Sequence, residues 1–132
     1  MRDFYFYVMD KKAQDHFEKG KEYLREANEA MNKPQEDVVT FQVCKNSLVS
    51  MENYLKGYLS QRGFETQERE SLDLLLDRCR LLDKKFNQID LKVIDCSNNP
   101  DHNLYCEDLE KVNSCFQTAD QLENLLIQQR II

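Results

Sequence analysis

Apolar side chains recur at steps of three and four residues along most of this chain, and this spacing limits the possible folds more than any other feature. It is typical of amphipathic helices that bury one stripe of side chains. The first stripe consists of Ala13, Phe17, Gly20, Leu24, Ala27 and Met31. It predicts a helix from about Asp10 to Asn32, which ends before Pro34 because proline disfavours helical geometry in the preceding residue.

Three further stripes follow the first. The second predicts a helix with Pro34 in its first turn and Gly63 as a left-handed cap. The third predicts a shorter helix from roughly Gln67 to Lys85, and the last a helix that begins near Asn103. Their apolar residues are, in chain order, Phe41, Cys44, Leu48, Met51, Leu55, Tyr58; Leu72, Leu75, Leu76, Cys79, Leu82, Phe86; and Leu109, Val112, Phe116, Ala119, Leu122, Leu126. Between the last two helices, Ile89, Leu91, Val93 and Ile94 are expected to cover the core as a short turn or extended piece.

The composition agrees with a helical fold. Apolar residues make up 41% of the 132 residues, and the chain holds only 3 Gly and 2 Pro, whereas a β-sandwich needs more turn residues. No linker is long enough to separate two units. We therefore predict an all-α, up-and-down bundle of four main helices, three long and one shorter, with a short extra turn before the last helix, as a single domain over residues 1–132.

Charge and cysteine content restrict the partners and the compartment. The formal net charge of -6 weighs against DNA binding, which needs a basic surface. No apolar run approaches a membrane span. The start of the chain is short, aromatic and bracketed by acids, without the basic start and small-residue cleavage site of a signal peptide. The 5 cysteines are odd in number and irregularly spaced, so a disulfide framework is not expected. These features predict a cytoplasmic protein without membrane association.

Candidate reactive residues are few. Cys96, His102, Cys106 and Cys115 suggest zinc, but their spacing differs from that of structural zinc sites, and Cys115 lies about 13 Å along a helix from Cys106. For nucleophilic catalysis, His102 could act as the base for Cys96 or Cys106 across one turn, but no third group is available to orient the histidine. We predict no metal, no cofactor and no catalytic residue; His16, the other histidine, is expected at the surface or at the edge of the core.

Glu52 and Lys56 stand four residues apart, in the favourable order for an ion pair on a helix. One interpretation is a solvated surface pair. The other places both side chains in a groove between the second and last helices, where they hold a polar ligand or a partner.

Four apolar residues near the end of the chain have more than one interpretation. They belong to the ordinary core or to a frayed end, they cover the aromatic start of the chain (residues 1–10), or they form a dimer contact. These residues are Leu125, Ile127, Ile131 and Ile132.

Several segments carry a family resemblance. Residues 50–59, SMENYLKGYL, followed by Gly63, resemble the second-helix motif of the HEPN family (higher eukaryotes and prokaryotes nucleotide-binding domains), and Phe41 matches its earlier aromatic residue. Residues 70–75 resemble the start of the family's third helix, 98–101 its Arg-Tyr-Pro-Asp turn, and 107–126 its closing helix with an acidic start. The similarity covers most of the chain, from Lys11 to Gln128.

The chain also departs from that family. Many members are metal-independent ribonucleases, often toxins, that use an Arg followed a few residues later by a His. Asn98 stands at the Arg position and Glu70 replaces a His at the start of the third helix, whereas His102 suits the catalytic His. A neutral Asn cannot supply the lost cation, so the resemblance implies a member without the Arg…His ribonuclease motif.

The resemblance implies a domain that acts by binding a partner protein or a nucleotide, as a homodimer and beside a nucleotidyltransferase-like partner. The ligand groove would involve Glu52, Lys56, Asn98, Asn99 and His102. Two alternatives stay open: a helical adaptor unrelated to nucleotides, and a residual ribonuclease that uses His102, cleaves RNA and has Lys56 in place of the Arg.

Overall fold

The computed structural model describes the backbone of residues 2–33, 40–92 and 109–132. Side chains are described within 11–33, 40–92 and 112–132. Four α-helices are present in these ranges: α1 (Arg2–Met31), α2 (Thr40–Gln61), α3 (Leu72–Leu82) and α4 (Leu109–Gln128). A short 3₁₀ turn, Lys84–Gln88, lies between α3 and α4. The described chain is all-helical, which confirms the predicted bundle of three long helices and one shorter helix with a short extra turn.

The contacts of α2 fix the directions of its neighbours. Gly57 faces Ala13 of α1, while Ser50 faces Gly20, so positions rise along one helix as they fall along the other and the two helices are antiparallel. On another side of α2, contacts with α4 advance together along both helices, from Cys44–Cys115 to Tyr54–Glu123. These two helices are therefore parallel, as an up-and-down order requires.

The core agrees with the predicted stripes, with one exception. Most stripe residues in the described ranges are buried or pack against the core, and Cys115 and Leu125 join them. Phe41 was expected in the stripe of α2, but 38% of its surface is exposed. Val43, which is fully buried, occupies the inward position in that turn instead.

Helix boundaries differ from the prediction at three described ends. Helix α1 begins at Arg2, earlier than the predicted Asp10, and no Gly or Pro separates residues 2–10 from the rest of it. Helix α3 is shorter than predicted at both ends. Ser71 is its N-cap and accepts a hydrogen bond from the Leu74 N–H at 3.2 Å, and the extended backbone of Asp83 (φ -149°, ψ 118°) ends it. The predicted roles of Pro34 and Asn103 lie outside the described residues.

Two helix ends share one capping geometry. At the end of α2, Gly63 has φ +88°, and the N–H groups of Gly63 and Phe64 donate to the carbonyls of Ser60 and Leu59. This is the Schellman arrangement, and it confirms Gly63 as a left-handed cap. Arg130 (φ 58°) takes the same position after α4, although it is not glycine.

The apolar residues at the end of the chain divide between core and surface. Leu125 is buried, and Ile131 and Ile132 pack against the core as partly buried residues. Ile127, by contrast, is 49% exposed. The side chains of the aromatic start lie outside the described residues, so the expected cover over them stays a prediction.

Candidate functional site

The predicted pair of Glu52 and Lys56 forms an ion pair with 3.0 Å between Oε1 and Nζ. The lysine is buried, with 11% of its side chain exposed. Its Nζ also donates to the Glu68 carbonyl at 3.3 Å. A solvated surface pair is therefore the wrong interpretation, because Lys56 supports the connection between α2 and α3, residues 62–71.

A second ion pair holds the same connection. Nη1 of Arg78 lies 2.7 and 2.8 Å from the carboxylate oxygens of Glu70, while Nη2 donates to the Glu65 carbonyl at 2.9 Å. Burial of Glu70 opposes its ionisation, but the Gln67 N–H and the Arg78 guanidinium outweigh burial and lower the pKa of Glu70. Hydrogen bonds to ionised groups are among the stronger ones in proteins. Together the two pairs fix the backbone of the connection against α2 and α3.

The direction of Lys56 corrects the expected position of the groove. Tyr54 faces α4, where its hydroxyl donates to Glu123. Lys56, two residues further along, points about 200° away from Tyr54 around the helix axis. The ion pair therefore borders the connection and not a groove between α2 and α4. The other predicted groove residues, Asn98, Asn99 and His102, lie outside the described residues, so a shared site with them stays a prediction.

A cleft of about 370 Å³ opens beside this connection. It lies between α1, the end of α2 and the connection itself, and we call it the His16 cleft. Its lining residues are Lys12, Asp15, His16, Lys19, Ser60, Glu65 and Thr66. The volume falls within the usual range for small-molecule sites.

His16 is held in one orientation by α2. The amide nitrogen of Asn53 donates to the Val49 carbonyl at 2.9 Å, which turns the amide oxygen of Asn53 toward His16. The His16 Nδ1–H donates to that oxygen at 3.0 Å. In the neutral ring Nε2 is then an acceptor, and in the imidazolium it is a second donor. No described residue hydrogen-bonds to Nε2, so this atom can serve a ligand.

Charged side chains surround the mouth of the cleft. Lys12 and Lys19 lie on the same face of α1 as His16, because the three positions follow the four-three spacing of a helix. Within the described part of the chain, no salt bridge joins Lys12, Asp15 or Lys19 to another residue. Both lysines are exposed and can turn their ammonium groups toward an anion.

The wall opposite α1 depends on the connection. Glu65 and Thr66 line the cleft, and the Glu65 carbonyl is the acceptor that Arg78 holds. Lys56 fixes the backbone further along at Glu68. The predicted site residue Lys56 thus has a supporting position behind the His16 cleft.

Sequence reasoning placed His16 at the surface or at the edge of the core and gave it no role. The ring is partly buried, which agrees with an edge position, but it lines a cleft together with charged side chains that form no described salt bridge. The spacing of Lys12, His16 and Lys19 was the available signal. It could not be decisive, because the connection that closes the cleft follows about fifty residues later in the chain.

A pair of buried thiols lies between α2 and α4. Cys44 and Cys115 have 3.1 Å between their sulfur atoms, so Cys115, one of the ligands considered for zinc, faces a thiol on another helix. No group of three potential metal ligands occurs in residues with described side chains. Among the described helices, none has the length and apolar character that crossing a membrane requires.

Comparisons with known proteins give no relative from which to transfer a role. The chain matches no family model, no curated protein and no solved structure.

Proposed function

We propose that this protein is a non-catalytic, HEPN-like helical domain that binds a nucleotide in the His16 cleft. The observation that carries the proposal is a ligand-sized cleft with two lysines outside any described salt bridge and an available histidine nitrogen. The HEPN-like segment, residues 50–59, contributes Asn53, which orients His16 from behind the cleft.

The chemistry of the lining favours a phosphorylated ligand. Lys12 and Lys19 supply ammonium groups, which bind phosphate as point charges. In its protonated form, His16 adds an Nε2–H donor between them. Ser60 and Thr66 offer hydroxyls to the uncharged part of a nucleotide, and the carboxylates of Asp15 and Glu65 can accept from ribose or base.

Titration calorimetry with ATP and with adenosine tests this proposal. We expect ATP to bind, and adenosine to bind much more weakly because it lacks the phosphates. The double variant Lys12→Gln/Lys19→Gln should weaken ATP binding at least about tenfold, since hydrogen bonds to charged groups contribute roughly 1.5–3 kcal/mol.

A matched control uses Lys11→Gln/Lys21→Gln, which removes the same charge from exposed positions of α1 outside the cleft lining. This variant should keep the affinity of the unmodified protein. Equal weakening in both double variants would indicate general attraction to α1, and absence of ATP binding to the unmodified protein would contradict the proposal.

A second candidate is an interaction module that pairs with another copy of the same chain. Its support is an apolar face on α3, where Leu81 is 88% and Leu74 is 49% exposed. The two residues are seven positions apart and lie on one side of the helix. Exposed apolar side chains that share a face often mark protein contacts.

Sedimentation velocity over a range of concentrations tests this second candidate. We expect a dimer that becomes monomeric in Leu74→Gln/Leu81→Gln. Ile127→Gln provides the control, because Ile127 is also 49% exposed but lies on α4. A monomer at every concentration would contradict self-association.

A further inference from the structure

The thiol pair between α2 and α4 has a geometry that goes beyond ordinary packing. The sulfur atoms of Cys44 and Cys115 are 3.1 Å apart although the residues are separated by 71 positions in the chain. Both side chains are buried, with exposures of 5% and 0%. A disulfide requires about 2.0 Å between the sulfurs, so the two atoms must approach by about 1 Å to form the bond.

The hydrogen bond between the two thiols shifts their pKa values in opposite directions. Either sulfur can be the donor in this contact. When the S–H of Cys115 donates to Cys44, the hydrogen bond lowers the pKa of Cys44 although burial opposes this. The same hydrogen bond and burial raise the pKa of Cys115. The thiolate is the reactive form of cysteine, and Cys44 is also the member of the pair that keeps some exposure, 5% against 0% for Cys115, so Cys44 is better placed to meet an oxidant first.

A third buried thiol shows the contrast. Cys79 is fully buried on α3 and donates weakly to the Leu55 carbonyl at 3.8 Å. Burial raises the pKa of Cys79 to about 12, and no other described thiol faces it. Burial alone therefore does not create the arrangement found at Cys44 and Cys115.

We propose that Cys44 and Cys115 are a peroxide-sensitive pair that forms a disulfide between α2 and α4. The oxidant is hydrogen peroxide, which is small and uncharged and can therefore enter a site closed to bulky disulfides. The proposal concerns a modification site in the core and does not depend on nucleotide binding.

The reaction has two balanced steps. The Cys44 thiolate attacks one peroxide oxygen, the O–O bond breaks, and Cys44 becomes a sulfenic acid while the released hydroxide takes up the proton that Cys44 lost. Cys115 then attacks the sulfur of Cys44. The S–S bond forms, the S–O bond breaks, and the hydroxyl leaves as water with the proton of Cys115. The two thiols lose two electrons, and hydrogen peroxide is reduced to two molecules of water.

Peptide mapping of the full chain tests the proposal. The protein is treated with hydrogen peroxide, its remaining thiols are blocked by alkylation under denaturing conditions, and the digest is analysed by mass spectrometry. We expect one linked pair of peptides, containing Cys44 and Cys115, that a dithiol reductant separates. The cross-link should raise the Tm by roughly 5–15 °C because it closes a long loop in the unfolded chain.

Three variants sharpen this test. Cys44→Ala and Cys115→Ala should each abolish the linked peptides and the rise in Tm, whereas Cys79→Ala should preserve both. Thiols that stay free, Cys44 oxidised beyond sulfenic acid without a link, or a link between other cysteines would overturn the proposal. If circular dichroism shows that a core variant is unfolded, the map of the unmodified protein decides alone.

Discussion

Helix α2 has two long interfaces that are built on different principles. Toward α1, two glycines allow close approach: Gly20 lies under the ring of Tyr54, and Gly57 lies under the ring of Phe17. Toward α4, polar groups meet: Tyr54 donates to the half-buried Glu123, and Cys44 contacts Cys115 within the core. The stability of the α1 interface should therefore be sensitive to added side-chain volume. The α4 interface should be sensitive to the loss of a hydrogen-bond partner, and its two thiols can form a disulfide on oxidation.

Tyr54 belongs to both interfaces, and its removal should give the largest effect. The side chain is fully buried, so Tyr54→Ala leaves a cavity against α1 and an unpaired Glu123 toward α4. We expect a loss of about 3–5 kcal/mol in the free energy of unfolding, measured by urea titration. Tyr23→Ala on α1, where the ring is only partly buried, should cost less than half as much. Equal losses would contradict a central role for Tyr54.

Gly57→Ala tests the α1 interface alone. A Cβ at this position would stand 2.5 Å from Cε1 of Phe17 and 3.2 Å from the Ala13 carbonyl oxygen. Overpacking should outweigh the gain in helix propensity, so we expect a net loss of about 1–3 kcal/mol in urea unfolding.

A double-mutant cycle identifies the source of that loss. Phe17→Leu shortens the side chain that the new methyl meets, so Gly57→Ala should be better tolerated in its presence. Additive losses, or stabilisation by Gly57→Ala alone, would show that contact at Gly57 does not determine how closely α1 and α2 approach each other.

Tyr54→Phe tests the α4 interface while it keeps the ring against Gly20. Loss of the hydroxyl leaves the Glu123 carboxylate without its tyrosine partner, and we expect a cost of about 1–2 kcal/mol at neutral pH. The measurement is urea unfolding beside a Glu123→Gln variant. Glu123→Gln combined with Tyr54→Phe should cost less than the sum of the single changes, because both remove the same contact.

The same hydroxyl predicts a pH dependence. Burial of Tyr54, with the hydrogen bond to Glu123, raises the pKa of its phenol above the ordinary value of 10.0. Above that pH the unfolded chain loses a proton that the folded protein keeps, so stability falls as the pH rises. Above pH 10, the free energy of unfolding of Tyr54→Phe should therefore fall by about 1.4 kcal/mol less per pH unit than that of the unmodified protein. Thermal unfolding between pH 9 and pH 11 measures the difference; identical slopes would contradict it.

The sequence predicts the α1 interface better than the α4 interface, and the reason is periodicity. The stripe of Ala13, Phe17, Gly20 and Leu24 is visible in one segment of chain, and the structure buries all four residues. The Cys44–Cys115 and Tyr54–Glu123 pairs depend on the register between two helices about 70 positions apart. Residue spacing within either helix contains no information on that register.

The candidate site shows the same difference between contacts within one helix, which the sequence predicts, and contacts between elements, which it does not. The four-residue spacing of Glu52 and Lys56 correctly predicts their ion pair, because the spacing belongs to one helix. The direction of Lys56 toward Glu68 depends on how the connection folds back, which the helical pattern does not encode. The His16 cleft was missed for this reason, since the connection forms one of its walls.

Ser50→Ala should give the smallest effect and completes the comparison of polar contacts at the two interfaces. The Ser50 hydroxyl donates to the Gly20 carbonyl at 2.6 Å. Gly20 lies within α1, where its carbonyl also accepts a helical N–H, so removal of the serine leaves no unpaired acceptor. Alanine also has a higher helix propensity. We expect a loss below about 1 kcal/mol in urea unfolding, smaller than that of Tyr54→Phe. A larger loss would mean that the α1 interface also depends on polar pairing, and the contrast between the two sides of α2 would fail.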